Sequence, residues 1–341
     1  MLAGDGNEAH TTAMTIKVLI TGGGGPGTIE ALRSLKALGD YELITADAMA
    51  ASAGVVFASR SYTVPFGADP LFEDALREIL RREQPDFIIP LVDEEIPKVH
   101  RLVRTEWPRL GVLTPTLEFC ELVLDKWTMA QAMSLRGLAV AASWVASEAG
   151  AATYPAIVKP RTGRGSRGLA FLDGPADLER YLAAAAEPAD RYLVQERLIG
   201  REFTTSVVVA LDGTLLAVVP KEAVDKRGIT QIGVTRDVPA IDDLCRAIAS
   251  QLDPRGPFNV QLILSADGVP RVIEINPRYS TTMALTIAAG VNEVDAVLRH
   301  ARGMDPGRLT FEPDLMMIRY TDQVYVKEAD WHPIDLRAPR A

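Results

Sequence analysis

Polar side chains alternate with apolar ones at the end of one strand-like stretch of this 341-residue sequence. The stretch VIEINPRYS (residues 272–280) carries Glu274, Asn276 and Arg278 at every second position. Alternate residues of a β-strand share one face, so a carboxylate, an amide and a guanidinium would project together. The preceding stretch FNVQLIL carries Gln261, and the ADGV turn between the two predicts a hairpin that places Gln261 beside Glu274 and Asn276.

Three neighbouring oxygen donors with a single negative charge are typical of a Mg²⁺ site that takes its other ligands from phosphates and water. Gln261, Glu274 and Asn276 are therefore predicted metal ligands. Arg278 lies one step further along, where its charge can reach a terminal phosphate during its transfer. The alternative is a salt-bridged strand face in which Arg278 pairs with Glu274, but this leaves the two amides without a role.

A second cluster, VKPRTGRGSRGL (residues 158–169), combines glycines with cations in an otherwise acidic sequence. Polyphosphate binding needs this combination, because backbone N–H groups must approach the phosphates while side chains neutralise their charge. The alternative is a basic surface hairpin. The predicted phosphate-binding residues are Lys159, Gly163, Arg164, Gly165, Ser166 and Gly168, with further donors from Arg161 and Arg167.

A third stretch, YLVQERLIGREF (residues 192–203), runs from an apolar strand into a polar connector. Gln195 and the backbone beside it can read the edge of adenine, while Leu198 covers its face. Glu202 can accept hydrogen bonds from both ribose hydroxyls. An interdomain hinge with solvated charges explains the same residues. Lys126, on a predicted helix, gains interest only if these stretches converge, because a single helix lysine is usually on the surface.

The loop TGGGGPGT (residues 21–28) suggests a different function. Gly22, Gly24 and Gly27 satisfy the G-x-G-x-x-G pattern between a strand and a helix, and Asp47 follows at the end of the next strand. This is the dinucleotide fingerprint, which predicts an NAD(P)-dependent Rossmann-type oxidoreductase. The alternative is a tight glycine turn that lets the helix pack closely on its strand.

Composition excludes several classes of function. A formal net charge of −9 argues against nucleic-acid binding through a basic surface. The two cysteines, Cys120 and Cys245, have no paired spacing, which favours a reducing cytoplasm over a disulfide framework. No apolar run reaches the length of a membrane span. Residues 1–14 lack the features of a secretion signal and are interpreted as a disordered leader.

The predicted elements change character along the chain. Strands at 16–21, 41–46 and 87–91 alternate with helices at 28–38 and 71–84, which indicates a doubly wound parallel sheet in an α/β domain over residues 15–117. A helix at 117–136 opens a small subdomain over residues 118–194. Antiparallel strands at 203–211, 214–219, 259–265, 271–276 and 315–326 dominate a larger α+β subdomain over residues 195–330. A tail, 331–341, follows.

The order of these motifs resembles the ATP-grasp superfamily. FNVQ and IEINPRYS…MALTIAAG are most similar to one synthetase unit of the carbamoyl phosphate synthase large subunit, where a glutamine also serves as first metal ligand. The chain is expected not to be that enzyme, since it holds one such unit and no glutaminase. The resemblance implies a pre-ATP-grasp domain followed by a two-subdomain ATP-grasp fold. The segment 221–237 should border the acceptor pocket but matches no assignable pattern.

The resemblance also implies a function: an ADP-forming ligase that activates a small-molecule carboxylate as an acyl phosphate and couples it to an amine. It implies that Lys126 and Lys159 hold the α- and β-phosphates of ATP, and that Gln195 and Glu196 hold adenine. Two Mg²⁺ ions, replaceable by Mn²⁺, would be bridged by Glu274. Lys159 and Arg278 are the expected catalytic residues, and a homodimer is expected. A degenerate homologue that binds its ligand without turnover would not need the full set of metal-binding and phosphate-binding residues.

Overall fold

The computed structural model describes residues 15–163, 165 and 167–337. The first part of the described chain contains β1 (Ile16–Thr21), α1 (Pro26–Leu38), β2 (Tyr41–Asp47), β3 (Arg60–Thr63), α2 (Phe72–Glu83), β4 (Phe87–Ile89), α3 (Ile96–Glu106) and β5 (Gly111–Val112). The middle part contains α4 (Leu117–Leu124), α5 (Lys126–Leu135), β6 (Ser143–Val145), β7 (Ala156–Pro160), β8 (Ala170–Leu172), α6 (Pro175–Ala184) and β9 (Tyr192–Glu196). The predicted leader lies outside the described residues.

The last part contains β10 (Gly200–Val209), β11 (Leu215–Arg227), β12 (Ile229–Thr235), α7 (Pro239–Leu252), β13 (Phe258–Ser265), β14 (Pro270–Asn276), α8 (Met283–Ala288), α9 (Glu293–Ala301), β15 (Met316–Ile318) and β16 (Ile334–Asp335). Short 3₁₀ helices lie at Ala53–Val56, Ala146–Ala151, Ala189–Arg191 and Glu328–Asp330.

The first sheet is parallel throughout, with strand order β16-β3-β2-β1-β4-β5. Helix α1 covers one face, while α2 and α3 cover the other through an apolar core around Ile79 and Leu102. This confirms the predicted doubly wound domain. Its outermost strand, β16, comes from the far end of the chain and pairs Ile334 with Tyr62.

The two remaining sheets are antiparallel. The larger one has strand order β14-β13-β10-β11-β12-β15, and the smaller one has strand order β6-β9-β7-β8. Both the β10–β11 and the β13–β14 connections are hairpins, as the LDGT and ADGV turns predict. The predicted α+β half with mainly antiparallel sheets is therefore confirmed.

The parallel domain and the larger antiparallel sheet share one apolar core. Leu32 and Leu35 of α1 belong to the same buried cluster as Met283 of α8, Val294 of α9 and Val219 of β11. A continuous core of this kind fixes the position of the parallel domain against the strands that carry the polar residues.

Two predicted elements differ from the structure. The helix expected over 117–136 is broken at Asp125, whose backbone is extended and whose carboxylate accepts hydrogen bonds from the Trp127 and Thr128 amides at the start of α5. A side chain that caps a helix in this way starts a new helix. The strand expected over 315–326 is shorter: β15 pairs Met316–Ile318 with residues 232–234 of β12, and beyond it the Arg319 amide still donates to the Gln231 carbonyl at 2.8 Å.

Candidate active site

The β13–β14 hairpin brings the predicted metal ligands together. Gln261 lies directly opposite Glu274, and Asn276 lies opposite Asn259. All four side chains line one polar cleft above the larger sheet. The adjacency that the sequence predicts is therefore present, although metal binding by these residues stays a prediction.

The donor set fits magnesium only together with other ligands. Among the described residues, no group of three or more His, Cys, Asp and Glu side chains is arranged to hold a metal. One carboxylate and two amide oxygens supply too little charge for a dedicated cage. They match a Mg²⁺ ion that is bound mainly through nucleotide phosphates and water.

Both predicted phosphate lysines are buried beside this hairpin. The Lys126 Nζ donates to the Gly163 carbonyl at 2.8 Å and lies 3.8 Å from a Glu274 oxygen. The Lys159 Nζ donates to the Gln195 side-chain oxygen at 2.9 Å and to the Ile273 carbonyl at 3.1 Å. Lys126 is the first residue of α5, so the Asp125 cap determines its direction. It is not a surface lysine.

Burial lowers the pKa of Lys159 to about 8, and the nearby negative charge of Glu274 opposes that shift. A desolvated ammonium in contact with neutral carbonyl oxygens gains much by meeting an anion. The site is therefore poised to accept a phosphate at Lys159.

Arg278 contacts the parallel domain. Its Nε donates to Asp93 at 2.5 Å, with the two side chains 14% and 10% exposed, and its Nη2 lies 3.5 Å from the Asn276 side-chain oxygen. The proposed pairing of Arg278 with Glu274 is wrong, because Asp93 takes the guanidinium instead. The sequence analysis does not identify Asp93 as a site residue. Its position could have indicated it, because Asp93 follows the carboxyl end of the parallel strand β4, where ligands bind in such sheets.

The described residues of the 163–168 loop lie beside the cleft. Gly163, Gly165 and Gly168 have φ values of 105°, 71° and 71°, a region that favours glycine. Gly163 and Gly165 line the cleft together with Arg167. The predicted contributions of Arg164 and Ser166 lie outside the described residues.

The predicted adenine-binding residues differ in how deeply they are buried. Gln195 is fully buried, its oxygen accepts from Lys159 and its amide donates to Ser143 at 3.0 Å. Its side chain therefore positions Lys159 and is not free to read a base. The Glu196 carboxylate accepts from the Ala142 amide at 2.7 Å, and Leu198 is partly exposed. Adenine binding at Glu196 and Leu198 stays a prediction.

Glu202 faces the cleft, where Lys226 of β11 donates to it at 2.5 Å. Lys226 belongs to the 221–237 segment, to which the sequence assigns no role. The neighbouring Gly228 and Thr230 also line the cleft. The long β11 strand, which continues well past its expected end at residue 219, brings these residues into the site.

An apolar slot continues the cleft between the two antiparallel sheets. Ile157, Leu169, Phe171 and Ile273 line it next to Lys159. Flat apolar walls beside buried cations suit a purine ring attached to a phosphate chain. Sequence reasoning misses these residues because isolated apolar strand positions look like ordinary core.

Three amides of the glycine loop are engaged within the domain and are not free for a dinucleotide. The Gly23, Gly24 and Gly25 amides donate to the Ala46 carbonyl, the Asp47 carboxylate and the Gly22 carbonyl at 3.1, 2.7 and 2.9 Å, and residue 26 is a proline without an N–H. The second Asp47 oxygen accepts from the Met49 amide at 2.7 Å. Asp47 thus closes the loop and is not available to a ribose, so the dinucleotide alternative has no support here.

Family comparison gives an independent result for the part of the chain that carries the cleft. A family profile described as "ATP-grasp in the biosynthetic pathway with Ter operon" matches residues 189–324. Residues 189–324 therefore resemble the ATP-grasp superfamily. The resemblance drawn from the motifs is therefore confirmed.

Individual relatives are distant. A carbamoyl phosphate synthase large chain from Pyrobaculum aerophilum is 27% identical over 182 residues, which cover 49% of this chain and 18% of that protein. A formate-dependent phosphoribosylglycinamide formyltransferase from Synechococcus is 26% identical over 251 residues, which cover 68% of this chain and 64% of that protein. The chain thus spans less than two thirds of the length of either relative.

Solved structures show the same fold at low identity. The carboxyaminoimidazole ribonucleotide synthase of Aspergillus clavatus, in complex with ATP, aligns with a TM-score of 0.73 and 18% identity over 89% of this chain and 81% of that one. The L-amino acid ligase of Bacillus licheniformis aligns with a TM-score of 0.67 and 16% identity over 87% and 77%. None of these four proteins is named as a nicotinamide oxidoreductase.

Within residues 15–163, 165 and 167–337, none of the helices has the length and apolarity needed to cross a membrane.

Proposed function

We propose that this protein is an ATP-dependent ligase that activates a substrate carboxylate as an acyl phosphate and joins it to an amine, releasing ADP and phosphate. One observation carries the proposal: the oxygen donors of Gln261, Glu274 and Asn276 share a cleft with Lys126 and Lys159. Oxygen donors and buried cations together suit a magnesium-bound triphosphate, and the ATP-grasp relatives support this use of the cleft.

In the proposed complex, the adenine ring occupies the apolar slot at Phe171 and Ile273, near Glu196 and Leu198. Glu202 binds the ribose after exchanging its contact with Lys226. Lys126 and Lys159 hold the α- and β-phosphates, and the 163–168 loop closes over them with Arg164 and Ser166. Closure excludes water from a labile acyl phosphate.

Magnesium, which Mn²⁺ can replace, would be held by Gln261, Glu274 and Asn276 and would supply positive charge to the phosphate oxygens. We propose two ions with Glu274 shared between them.

The chemistry needs no nucleophilic side chain. A carboxylate oxygen of the substrate attacks the γ-phosphorus, the bond from that phosphorus to the β–γ bridging oxygen breaks, and ADP leaves. Arg278 and Lys159 neutralise charge on the transferring group. The amine nitrogen then attacks the acyl carbon, the carbon–oxygen bond to phosphate breaks, and the nitrogen loses a proton. Positioning and charge neutralisation supply the rate.

The substrates that we propose are a small carboxylic acid and an amine of amino-acid or peptide-like type. The name of the L-amino acid ligase with the same fold supports this choice. We also retain the cytoplasm as the proposed location, because both cysteines are buried free thiols. Homodimer formation stays a prediction, which sedimentation equilibrium can test.

Hydroxylamine offers a test that does not require the natural amine. It traps an acyl phosphate as a hydroxamate, which Fe³⁺ reveals by colour. We expect Mg-ATP and a panel of amino acids and dipeptides to give hydroxamate and ADP in equal amounts with at least one acid. The Glu274→Ala variant should give neither while keeping the thermal midpoint of the wild type within a few degrees. Wild-type turnover in Glu274→Ala would refute the proposal.

A further inference from the structure

A second cavity, of about 610 Å³, continues from the metal end of the cleft into the parallel domain. Its walls come from the segments that follow β1, β2, β3 and β4, namely residues 22–28, 47–49, 66–68 and 91–95. Arg278, Ser280 and Thr281 line both this cavity and the metal end of the cleft. A substrate that reaches the γ-phosphate from this side must occupy the cavity.

The described cations of this cavity lie where it meets the metal end of the cleft. Among its described lining residues, Arg167 and Arg278 are the sole cations, and both also line the metal end of the cleft. The described residues of the parallel domain contribute no lysine or arginine to the wall, whereas the Asp47 carboxylate is on it. A negatively charged substrate group is therefore favoured at the metal end and disfavoured near Asp47.

The amides of residues 23–25 do not replace the missing cations. The amides of Gly23, Gly24 and Gly25 already donate within the parallel domain, one of them to the Asp47 carboxylate. A phosphate at this loop would have to displace internal acceptors and lie beside a fixed carboxylate. The phosphoribosyl and ribonucleotide groups that the names of two relatives carry are thus poorly matched to this wall.

Part of the cavity wall is apolar instead. Leu91, Val92 and Met283 are partly or fully buried there, and Met49 and Phe66 project with 62% and 67% of their surface exposed. Large apolar side chains that line a pocket at this exposure are typical of ligand-binding surfaces. They gain most from an apolar ligand group that removes them from water.

We propose that the acid activated at this site is unphosphorylated and carries an apolar group, with its carboxylate at Arg278 and its apolar group against Met49 and Phe66. This inference rests on the proposed function. A cavity of about 610 Å³ accommodates an acid of amino-acid or dipeptide size.

The test uses four acids of related length with Mg-ATP and hydroxylamine: L-norleucine, L-lysine, L-glutamate and O-phospho-L-serine. We expect kcat/KM for hydroxamate formation to be at least about tenfold higher for norleucine than for the other three, following the cost of placing charge on an apolar wall. A higher kcat/KM for lysine, glutamate or phosphoserine, or no product with norleucine, would overturn the inference.

The two failures can be told apart. If a polar or phosphorylated acid reacts, the ligase proposal stands and only the apolar substrate class is wrong. If no acid in the wider panel of amino acids and dipeptides yields hydroxamate, the ligase proposal itself fails.

Variants connect the preference to the wall. Met49→Ser and Phe66→Ser should each raise KM for norleucine by about tenfold, while the dissociation constant for Mg-ATP stays at its wild-type value. Leu135→Ser is the matched control, because Leu135 is 87% exposed and is not among the described lining residues of any of these cavities. An unchanged norleucine KM in both wall variants would refute the assignment of the apolar group to Met49 and Phe66.

Discussion

The contact between Arg278 and Asp93 joins the parallel domain to the phosphate-transfer end of the cleft. Both side chains are largely buried, and the Nε–Oδ1 distance is 2.5 Å. Asp93 is not expected to touch the substrate itself. It is a positioning residue, and Asp93→Asn keeps its shape and one acceptor oxygen while removing its charge.

The size of the effect follows from the change in that hydrogen bond. A hydrogen bond that involves a charged group contributes about 1.5–3 kcal/mol. Asp93→Asn keeps a hydrogen bond to the charged guanidinium but removes the charge of the acceptor, so we expect about half of this contribution, about 1 kcal/mol, to be lost. That loss equals about a fivefold change in rate if Arg278 acts on the transferring phosphate. Asp93→Ala leaves the guanidinium without this partner and should lower kcat by about a hundredfold, as the loss of a transition-state charge does.

The assay is steady-state ADP release and hydroxamate formation at saturating Mg-ATP. We expect kcat to fall in Asp93→Asn with KM for Mg-ATP unchanged, and Asp93→Glu to recover part of kcat because it restores the charge. Asp267→Asn is the control, since Asp267 forms a 2.9 Å pair with Arg271 at the exposed end of the β13–β14 hairpin. A kcat within twofold of wild type in Asp93→Asn would refute the positioning role.

Three further predictions concern buried charge and the metal. Mg-ATP affinity should be constant below pH 8 and fall as the pH rises above it, because Lys159, with its pKa lowered to about 8, loses the proton that phosphate binding requires; calorimetry in two buffers at pH 8.5 should show proton uptake, and its absence would refute this role. Lys221 is fully buried and donates a hydrogen bond to Ser206, which in turn donates to Glu293. Lys221→Met should lower the free energy of unfolding by about 3–5 kcal/mol, because it leaves the buried Glu293 carboxylate without a compensating positive charge. Urea titrations should show that adding Glu293→Gln restores part of this free energy. Mn²⁺ should bind weakly to the free protein and tightly with ADP, since one carboxylate cannot hold it alone; paramagnetic resonance that shows equal binding in both states would contradict this.

The sequence predicts the fold well where the spacing of apolar residues and the residue types of the turns indicate the same element. The parallel domain follows from apolar strands that alternate with helices, and the two hairpins follow from Asp-Gly turns. The ends of elements are less predictable, because they depend on partners distant in the chain. Asp125 interrupts a continuous helical pattern by capping a new helix, and β15 is limited to the three residues that pair with β12.

The candidate site is predictable to the extent that its chemistry is local. The opposition of Gln261 and Glu274 follows from a single hairpin. The partner of Arg278 does not, because Asp93 lies 185 residues away and meets it only after two domains have packed together. Gln195 shows how burial can change the use of a side chain. Its residue type suits the edge of a base, but its side-chain oxygen accepts a hydrogen bond from Lys159 in the interior.

The pairing of β16 with β3 has a consequence for the order of events during synthesis. The parallel sheet is otherwise built from the first third of the chain, yet the backbone groups of Tyr62 and Thr63 acquire their outer neighbour only when Ile334 and Asp335 have emerged from the ribosome. Until then this border of the nascent sheet is open to mispairing, the hazard that unprotected strands carry. Strand β16 therefore completes a sheet whose other strands are synthesised well before it.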